Sequence, residues 1–250
     1  MNRLGKSLTP LRQAWHGVLQ QILPAVSPLG LGVVSSTGAI NAEQWRELEF
    51  LSGAICHACG APVPQSLDPQ SLCLSCESRP PRVARTRSAL VYSELSKRLI
   101  LGFKHGDRAD SIEVFANWMA QAAPDLLRSP GILIPVPLHL FRRMQRKFNQ
   151  SALLGNALSR NCALPHEPLA LVRRRNTPSQ ALKSGKGRAR NVSGAFRVPK
   201  KYVNIIKGQR IILIDDVRTS GATLDACATS LLAAGAAQID AITLARVVKR

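Results

Sequence analysis

Apolar residues recur along most of the chain in two patterns, one typical of buried strands and one typical of amphipathic helices. Short, fully apolar runs predict strands at residues 89–92, 132–134, 169–172, 210–214 and 239–244. Apolar positions spaced three and four apart predict helices over residues 95–103, 112–127, 150–161 and 222–234. Strands and helices therefore alternate, and apolar strands of this kind favour a parallel sheet in an α/β domain.

The N-terminal region departs from this alternation. Thr9 can cap, and Pro10 can begin, a short amphipathic helix that carries Leu11, Trp15, Val18, Leu19, Ile22 and Leu23 on one face. Residues 24–41 are rich in Gly, Ser and Pro and predict a loop. Residues 13–42 are uncharged, but their prolines and glycines interrupt the apolar run, so we expect no membrane insertion. A chain of 250 residues accommodates one larger domain and a small appendage.

Four of the six cysteines form two close pairs, Cys56 with Cys59 and Cys73 with Cys76. Two Cys-x-x-Cys pairs separated by 13 residues are typical of a structural zinc ribbon, and Gly60 suits the tight turn of a thiolate knuckle. A redox pair is the weaker alternative, because neither pair lies in a βαβ pattern. Metal-type spacing of this kind indicates a reducing, cytoplasmic location rather than a disulfide framework. The remaining cysteines, Cys162 and Cys227, are interpreted as buried thiols.

The net charge of +19, from 34 Lys and Arg against 15 acidic residues, favours polyanionic partners such as nucleic acid or phosphorylated metabolites. Aromatic residues make up only 4% of the chain, so any contact with single-stranded nucleic acid is expected to be mainly electrostatic. Residues 173–190 are rich in Lys and Arg and predict a long basic loop. A solvated basic surface is the alternative interpretation of that loop.

The segment IILIDDVRTSGATL, residues 211–224, carries the clearest candidate chemistry. A buried strand leads to adjacent Asp215 and Asp216, and then to a turn with hydroxyls and Gly221 before a helix. Backbone N–H groups at such a turn bind phosphate, while paired carboxylates suit the hydroxyls of a ribose with a divalent ion nearby. The alternative is purely structural, with an acidic residue that caps the next helix.

This segment resembles the PRPP-binding signature of type I phosphoribosyltransferases, where PRPP is phosphoribosyl pyrophosphate. From about Trp45 onward the chain resembles the ComF family. The motifs that carry this second resemblance are LILGFKHGDR at residues 99–108, IPVPLHLFRRMQRKFNQ at 134–150, RRRNTPSQALKSGKGRARNVSGAF at 173–196, and the closing LARV. The implied fold is a type I phosphoribosyltransferase-like parallel sheet flanked by helices, with a small N-terminal zinc ribbon. We expect the ribbon over residues 45–82 and the larger domain over 83–250.

The resemblance also implies roles for individual residues. Asp215 and Asp216 would hold the ribose hydroxyls at the catalytic position, with Mg²⁺ accompanying PRPP if the protein is active. The 5-phosphate loop would comprise Val217, Arg218, Thr219, Ser220, Gly221, Ala222 and Thr223. Pyrophosphate and the basic loop would involve Pro135, Val136, Pro137, Lys104, Arg146, Arg173 and Arg188. Arg218 departs from the family pattern, where a neutral residue is common, and its side chain has two alternatives, phosphate or solvent.

Many ComF relatives carry an earlier cysteine quartet, and this chain lacks it. The corresponding segments read LPAVSPLG at residues 23–30 and NAEQW at 41–45, which place Ser27, Gly30, Asn41 and Gln44 at the four positions. These residues cannot jointly hold zinc. Residues 1–44 are therefore predicted to be a metal-free remnant of a first zinc module, and we expect one structural zinc site.

Three functions remain open from the sequence. The first is a ComF-type protein that handles single-stranded DNA in natural transformation or DNA use, together with DNA-uptake proteins. The second is an active phosphoribosyltransferase of nucleotide salvage with an unknown base acceptor. The third is a non-catalytic PRPP-sensing protein, because a fold and a ligand site do not by themselves establish chemistry. His105 and His139 are not assigned a catalytic role.

Overall fold

The computed structural model describes residues 42–65, 68–104, 111–138, 149–174 and 194–248. The helices are α1 (Ala42–Glu47), α2 (Leu74–Ser78), α3 (Glu94–Lys104), α4 (Ser111–Ala122), α5 (Pro124–Leu127), α6 (Gln150–Cys162), α7 (Val203–Ile206) and α8 (Ala222–Ala233). The strands are β1 (Arg85–Val91), β2 (Ile132–Pro135), β3 (Val172–Arg173), β4 (Phe196–Arg197), β5 (Arg210–Arg218) and β6 (Gln238–Arg246). Among the described residues, no helix has the length and apolar character needed to span a membrane.

A four-stranded sheet with the order β1-β6-β5-β2 forms the centre of the protein, and all of its strand pairs are parallel. Helix α8 connects β5 to its neighbour β6, which is the βαβ unit that the sequence predicted. The register pairs Ile211 with Ile239 and Arg218 with Arg246. The predicted parallel sheet flanked by helices is therefore confirmed.

Two hydrophobic clusters cover the two faces of this sheet, because successive side chains of a strand point to opposite faces. Ile212 and Ile214 of β5 belong to the cluster that includes α4 and α6. Ile211 and Leu213 belong to the cluster that includes α8. Burial on both faces explains why residues 211–214 of β5 are continuously apolar rather than alternating.

Several predicted boundaries are wrong. β1 begins at Arg85 rather than at residue 89, because Thr86, Arg87 and Ser88 are buried polar residues that an apolar pattern does not detect. The helix expected over residues 112–127 ends at Ala122, and Pro124 begins α5. The strand expected at residues 169–172 is shorter and shifted, since β3 pairs antiparallel with β4 in a separate ribbon.

A buried ion cluster lies where the sheet strands begin. The side chain of Asp240 is fully buried and accepts hydrogen bonds from Arg85, Arg210 and Gln238. Arg210 also donates from both Nη1 and Nη2 to the carbonyl oxygen of Leu126 in α5. Two arginines thus neutralise the carboxylate and satisfy its lone pairs, which is the condition under which a buried charge is tolerated.

Candidate functional site

The two candidate aspartates lie at the carboxyl edge of the parallel sheet, within β5. The predicted end of this strand at residue 214 is wrong, because the pairing with β6 continues to Arg218. Asp215 and Asp216 are half-buried, and the Asp216 N–H donates to Oδ1 of Asp215 at 2.9 Å. Ligands of open α/β sheets bind at this edge.

The turn after β5 joins the strand to α8 and exposes its hydroxyl side chains. Thr219 and Ser220 are exposed, whereas Gly221 is buried and has a φ of 83°, in the left-handed region. Gly221 is the N-cap of α8 and makes no side-chain cap, so the first N–H groups of this 12-residue helix face the turn. Hydroxyls, the first amides of the helix and the helix dipole together form an environment that suits a phosphate.

The Pro135-Val136-Pro137 turn lies beside the aspartates at the end of β2. The Val136 N–H donates to the Ile214 carbonyl at 2.8 Å, which continues the β2–β5 pairing by one residue. Asn149 is the N-cap of α6, and its Nδ2 atom donates to the Val136 carbonyl oxygen at 3.4 Å. One region of the protein is therefore bordered by the end of β2, the candidate aspartates and the beginning of α6.

The sequence-based prediction missed two residues of this region. The Ser151 hydroxyl of α6 donates to Oδ1 of Asp215 at 3.2 Å, which orients that carboxylate. The Oδ1 atom of Asn149 is buried and has no hydrogen-bond partner among the described residues. Both residues could have been identified from the polar run Asn149-Gln150-Ser151, which begins the helix that follows the Pro135 turn.

The remaining predicted residues differ in what the structure says of them. Lys104 is the last residue of α3. Arg146 and Arg188 lie outside the described residues, as do Ser27, Gly30 and Asn41 of the predicted remnant and most of the predicted basic loop. Arg173 belongs to β3, and its guanidinium lies 5.5 Å from the centre of the Phe196 ring. Gln44 is buried in α1.

Arg218 does not point to solvent, so that alternative is wrong. Its side chain is buried, with 9% of the residue exposed. The guanidinium lies directly against Gly221, because a Cβ atom at that glycine would be only 2.9 Å from Nη2. The arginine therefore packs against the turn at Gly221.

The four cysteines of the predicted zinc ribbon converge. Their sulfur atoms all lie within 4.8 Å of one another, and the sulfurs of Cys59 and Cys73 are 3.7 Å apart. Zn–S bonds of about 2.3 Å place the sulfurs of a tetrahedral site about 3.8 Å apart. The backbone N–H groups of Cys59 and Cys73 also point to the sulfur of Cys56, at 3.5 and 3.2 Å. The cluster can hold a metal such as zinc.

The acidities of three of the cysteine thiols are shifted by their surroundings. Burial raises the pKa of Cys59, but the Ala61 N–H and the charges of Arg246 and Arg218 outweigh it and lower the pKa to about 6. Burial raises the pKa of Cys73, and burial together with the charge of Cys59 raises that of Cys76. Zinc supplies the charge that stabilises the remaining thiolates when it binds.

The cysteine cluster packs against the edge of β1 and the end of β6. The Thr86 N–H donates to the Ala58 carbonyl at 2.7 Å, and Arg87 donates to the His57 carbonyl at 3.0 Å. Gly60 has a φ of 70°, and a Cβ atom there would lie 2.5 Å from the Thr86 carbonyl oxygen. The knuckle turn therefore needs glycine both for its backbone and for its contact with β1.

A parallel sheet with helices on both faces, polar residues at its carboxyl edge and a hydroxyl-rich turn before a helix define the class. This is an α/β protein with a parallel sheet, and it carries a four-cysteine cluster that can bind a metal.

Comparison with curated proteins identifies the family. The chain is 30% identical over 197 residues to the DNA utilization protein YhgH of Escherichia coli, which covers 77% of this chain and 84% of that protein. It is 33% identical over 211 residues to the competence protein ComFC of Bacillus subtilis, covering 80% and 81%. It is 36% identical over 120 residues to the competence protein F of Haemophilus influenzae, covering 48% and 52%. The chain belongs to the ComF family.

Solved structures similar to the chain include phosphoribosyltransferases, although the similarity is low. Hypoxanthine phosphoribosyltransferase from Trypanosoma cruzi matches with a TM-score of 0.37 and 14% identity, over 56% of this chain and 75% of that one. The allosteric regulatory enzyme of purine biosynthesis matches with a TM-score of 0.36 and 16% identity, over 57% and 29%. Similarity at this level supports no functional argument. No protein-family model matches the chain.

Proposed function

We propose that the protein binds PRPP or a related ribose 5-phosphate at the carboxyl edge of β5, and that it acts in the handling of single-stranded DNA. The observation that carries the ligand assignment is the order of groups along one strand end. Two half-buried carboxylates are followed, after Val217 and Arg218, by the exposed hydroxyls of the turn and by the first amides of α8. Carboxylates and amides of this kind bind opposite ends of a sugar phosphate.

The two halves of the site have separate tasks in this proposal. The turn at residues 219–223 binds the 5-phosphate through N–H and hydroxyl donors. Asp215 and Asp216 accept hydrogen bonds from the ribose hydroxyls, and Ser151 fixes the orientation of Asp215. Mg²⁺ would supply charge neutralisation for a pyrophosphate group, near the Pro135 turn and the beginning of α6. Arg173 and the basic segment that follows it would add positive charge at this side.

The role in DNA handling is supported by charge and by family membership. The net charge of +19 favours a polyanion as partner. Two relatives are named competence proteins and one is named a DNA utilization protein. We propose single-stranded DNA as the polyanion and DNA-uptake proteins as associated partners. The Lys and Arg residues would contact phosphates, since few aromatic residues are present for base stacking.

A second candidate function is phosphoribosyl transfer, and the Ser151–Asp215 hydrogen bond favours it because it preorganises the carboxylate next to the sugar. Displacement of pyrophosphate from the anomeric carbon forms a bond from that carbon to an acceptor nitrogen and breaks the bond to the pyrophosphate oxygen. Incubation with PRPP, Mg²⁺ and a panel of nucleobases tests this function. Release of pyrophosphate that depends on one base establishes turnover, and its absence with every base leaves binding alone.

Isothermal titration of PRPP with Mg²⁺ tests the proposed site. The wild-type protein is expected to bind one equivalent, and Asp216→Ala is expected to weaken binding about tenfold or more, because hydrogen bonds to a charged group contribute about 1.5–3 kcal/mol. Glu113→Gln serves as a control, since this carboxylate is exposed on α4 and pairs with Arg160. Equal affinities of wild-type and Asp216→Ala protein would reject the ribose assignment.

Binding of a labelled oligonucleotide tests the DNA role separately. If Lys and Arg neutralise phosphates, the affinity falls steeply as salt rises, because each contact releases counterions. An affinity that is independent of salt would argue against electrostatic binding to the backbone. The Asp216→Ala protein should retain oligonucleotide binding, which separates the two ligands.

A further inference from the structure

Two buried arginines connect the cysteine cluster with the phosphate turn, which comprises residues 219–223. Arg218 ends β5 and Arg246 ends β6, and the two are paired neighbours in the sheet. Both side chains are buried, with 9% and 6% of the residues exposed. Each guanidinium has a buried Nε atom without a hydrogen-bond partner among the described residues. Two adjacent positive charges in this setting require negative charge nearby.

The cysteine cluster lies on one side of this pair. Nη1 of Arg246 donates to the Cys59 carbonyl oxygen and is 3.7 Å from the Cys59 sulfur. Burial and the charge of Arg246 lower the pKa of Arg218, and the charges of Cys59 and Cys76 partly oppose this lowering. Arg218 and Arg246 therefore lie within electrostatic range of the metal ligands.

The phosphate turn lies on the other side. Nη2, Cζ and Nε of Arg218 would be 2.9, 3.3 and 3.5 Å from a Cβ atom at Gly221, so the flat guanidinium fills the space beneath this residue. Gly221 is also the residue that changes direction from the turn into α8. A movement of the guanidinium would therefore move or loosen the turn.

Contact geometry explains why the arrangement depends on the metal. A bound metal would fix the knuckle that contains Cys56, Cys59 and Gly60, because two of its ligands lie in this short turn. Arg246 donates a hydrogen bond to the Cys59 carbonyl oxygen of the same knuckle, and it is the sheet neighbour of Arg218. Without the metal the knuckle is less constrained, so the position of Arg246 and the space that the Arg218 guanidinium occupies are less well fixed.

We propose that Arg218 is a positioning residue that links the cysteine metal site to the phosphate turn, so that zinc binding fixes residues 219–223 in the form that binds the sugar phosphate. The metal site is then a regulator of the ligand site as well as a structural element. The part of this inference that concerns the ligand rests on the function proposed above. The part that concerns the turn does not.

Amide hydrogen exchange of residues 219–224 tests the link without any ligand. We expect exchange to be about tenfold faster in the wild-type protein after zinc is removed by a chelator. Zinc-loaded Arg218→Met protein should show the same fast exchange while its zinc content is unchanged. Arg218→Lys, which retains the charge, should restore part of the protection. Arg98→Met is the matched control because Arg98 is exposed on α3, and it should behave as wild type.

Exchange in the central strands serves as the internal check for unfolding. Residues 211–214 are fully buried in β5 and should remain protected in every sample. Turn exchange that is insensitive both to zinc and to Arg218→Met would overturn the inference. Loss of protection throughout β5 in metal-free protein would show general unfolding, and the zinc-loaded Arg218→Met sample then decides the question alone.

Zinc affinity provides a second readout through linkage. Coupling between two sites is reciprocal, so a ligand at the turn must raise the affinity for zinc if zinc favours the turn. PRPP with Mg²⁺ is expected to raise the zinc affinity, measured by competition with a chromogenic chelator, about fivefold or more in wild-type protein and to leave it unchanged in Arg218→Met. A zinc effect on turn exchange without any PRPP binding would support the link and overturn the proposed function. PRPP binding that leaves the zinc affinity of the wild-type protein unchanged would overturn the link alone.

Discussion

Replacement of Asp240 by asparagine removes the charge at the centre of the buried ion cluster. The carboxylate is fully buried, and Arg85 and Arg210 approach its Oδ2 atom to 3.1 and 2.7 Å. An asparagine retains the shape but removes the buried negative charge that both guanidinium groups contact. Arg210 also donates to carbonyls near the end of α5, so loss of its anchor affects the packing of that segment.

The expected magnitude follows from the burial. Breaking one side of a buried ion pair costs about 3–5 kcal/mol, because the remaining charge stays desolvated. Glu113 provides the comparison, since its carboxylate pairs with Arg160 and both side chains are 55% exposed. Exposed pairs contribute about 0–1 kcal/mol, so Glu113→Gln should be nearly neutral. Both substitutions remove the negative charge of a carboxylate that is paired with arginine, and they differ in the solvent exposure of that carboxylate.

Urea unfolding of the zinc-loaded proteins measures both effects. With an m-value of about 3 kcal/mol/M for a chain of this size, Asp240→Asn should lower the midpoint by about 1–1.7 M. Glu113→Gln should lower it by less than about 0.3 M. Equal midpoints for wild type and Asp240→Asn would refute the argument that this cluster holds the strand beginnings together. Equal losses for the two variants would show that burial does not decide the effect.

Three further results are expected. Burial lowers the pKa of His166 in the folded protein, so the unfolded chain binds a proton more readily below pH ~6.5. The free energy of unfolding should therefore fall as the pH falls through that value, by at most ~1.4 kcal/mol per pH unit. Urea titrations at several pH values should show a shallower dependence for His166→Gln. Gly60→Ala should cost about 1–2 kcal/mol from its left-handed backbone alone and should accelerate zinc release to a chelator; an unchanged rate would contradict the tight contact with Thr86. Ser151→Ala should weaken PRPP binding a few-fold in calorimetry, and unchanged affinity would show that Asp215 does not need this hydrogen bond.

The sequence predicted the sheet class and the strand–turn–helix unit because both depend on local patterns. Apolar strands, the glycine of the turn and the cysteine spacing are each visible within a few residues. The four cysteines indeed converge, and the β5–α8–β6 unit is present. Apolar patterns were less informative about β1, since polar residues such as Ser88 are buried there and bond across strands, in this case to Thr243 at 2.7 Å.

Long-range contacts explain what could not be predicted. Ser151 reaches Asp215 across 64 positions, and Arg246 reaches Cys59 across 187. No spacing rule brings such pairs together, because only the order of strands in the sheet makes them neighbours. The position of Arg218 is the clearest case. The sequence indicates only that Arg218 departs from a family pattern. In the structure its side chain lies against Gly221 and within electrostatic range of Cys59 and Cys76.

Hydrogen exchange with and without PRPP and Mg²⁺, on zinc-loaded wild-type protein, tests the central claim most directly. Ligand protection is expected to be concentrated at residues 219–224, with a smaller effect at Asp215 and Asp216. Protection elsewhere with none at this turn, or no protection at saturating PRPP, would contradict the assignment of the β5 edge as the sugar-phosphate site.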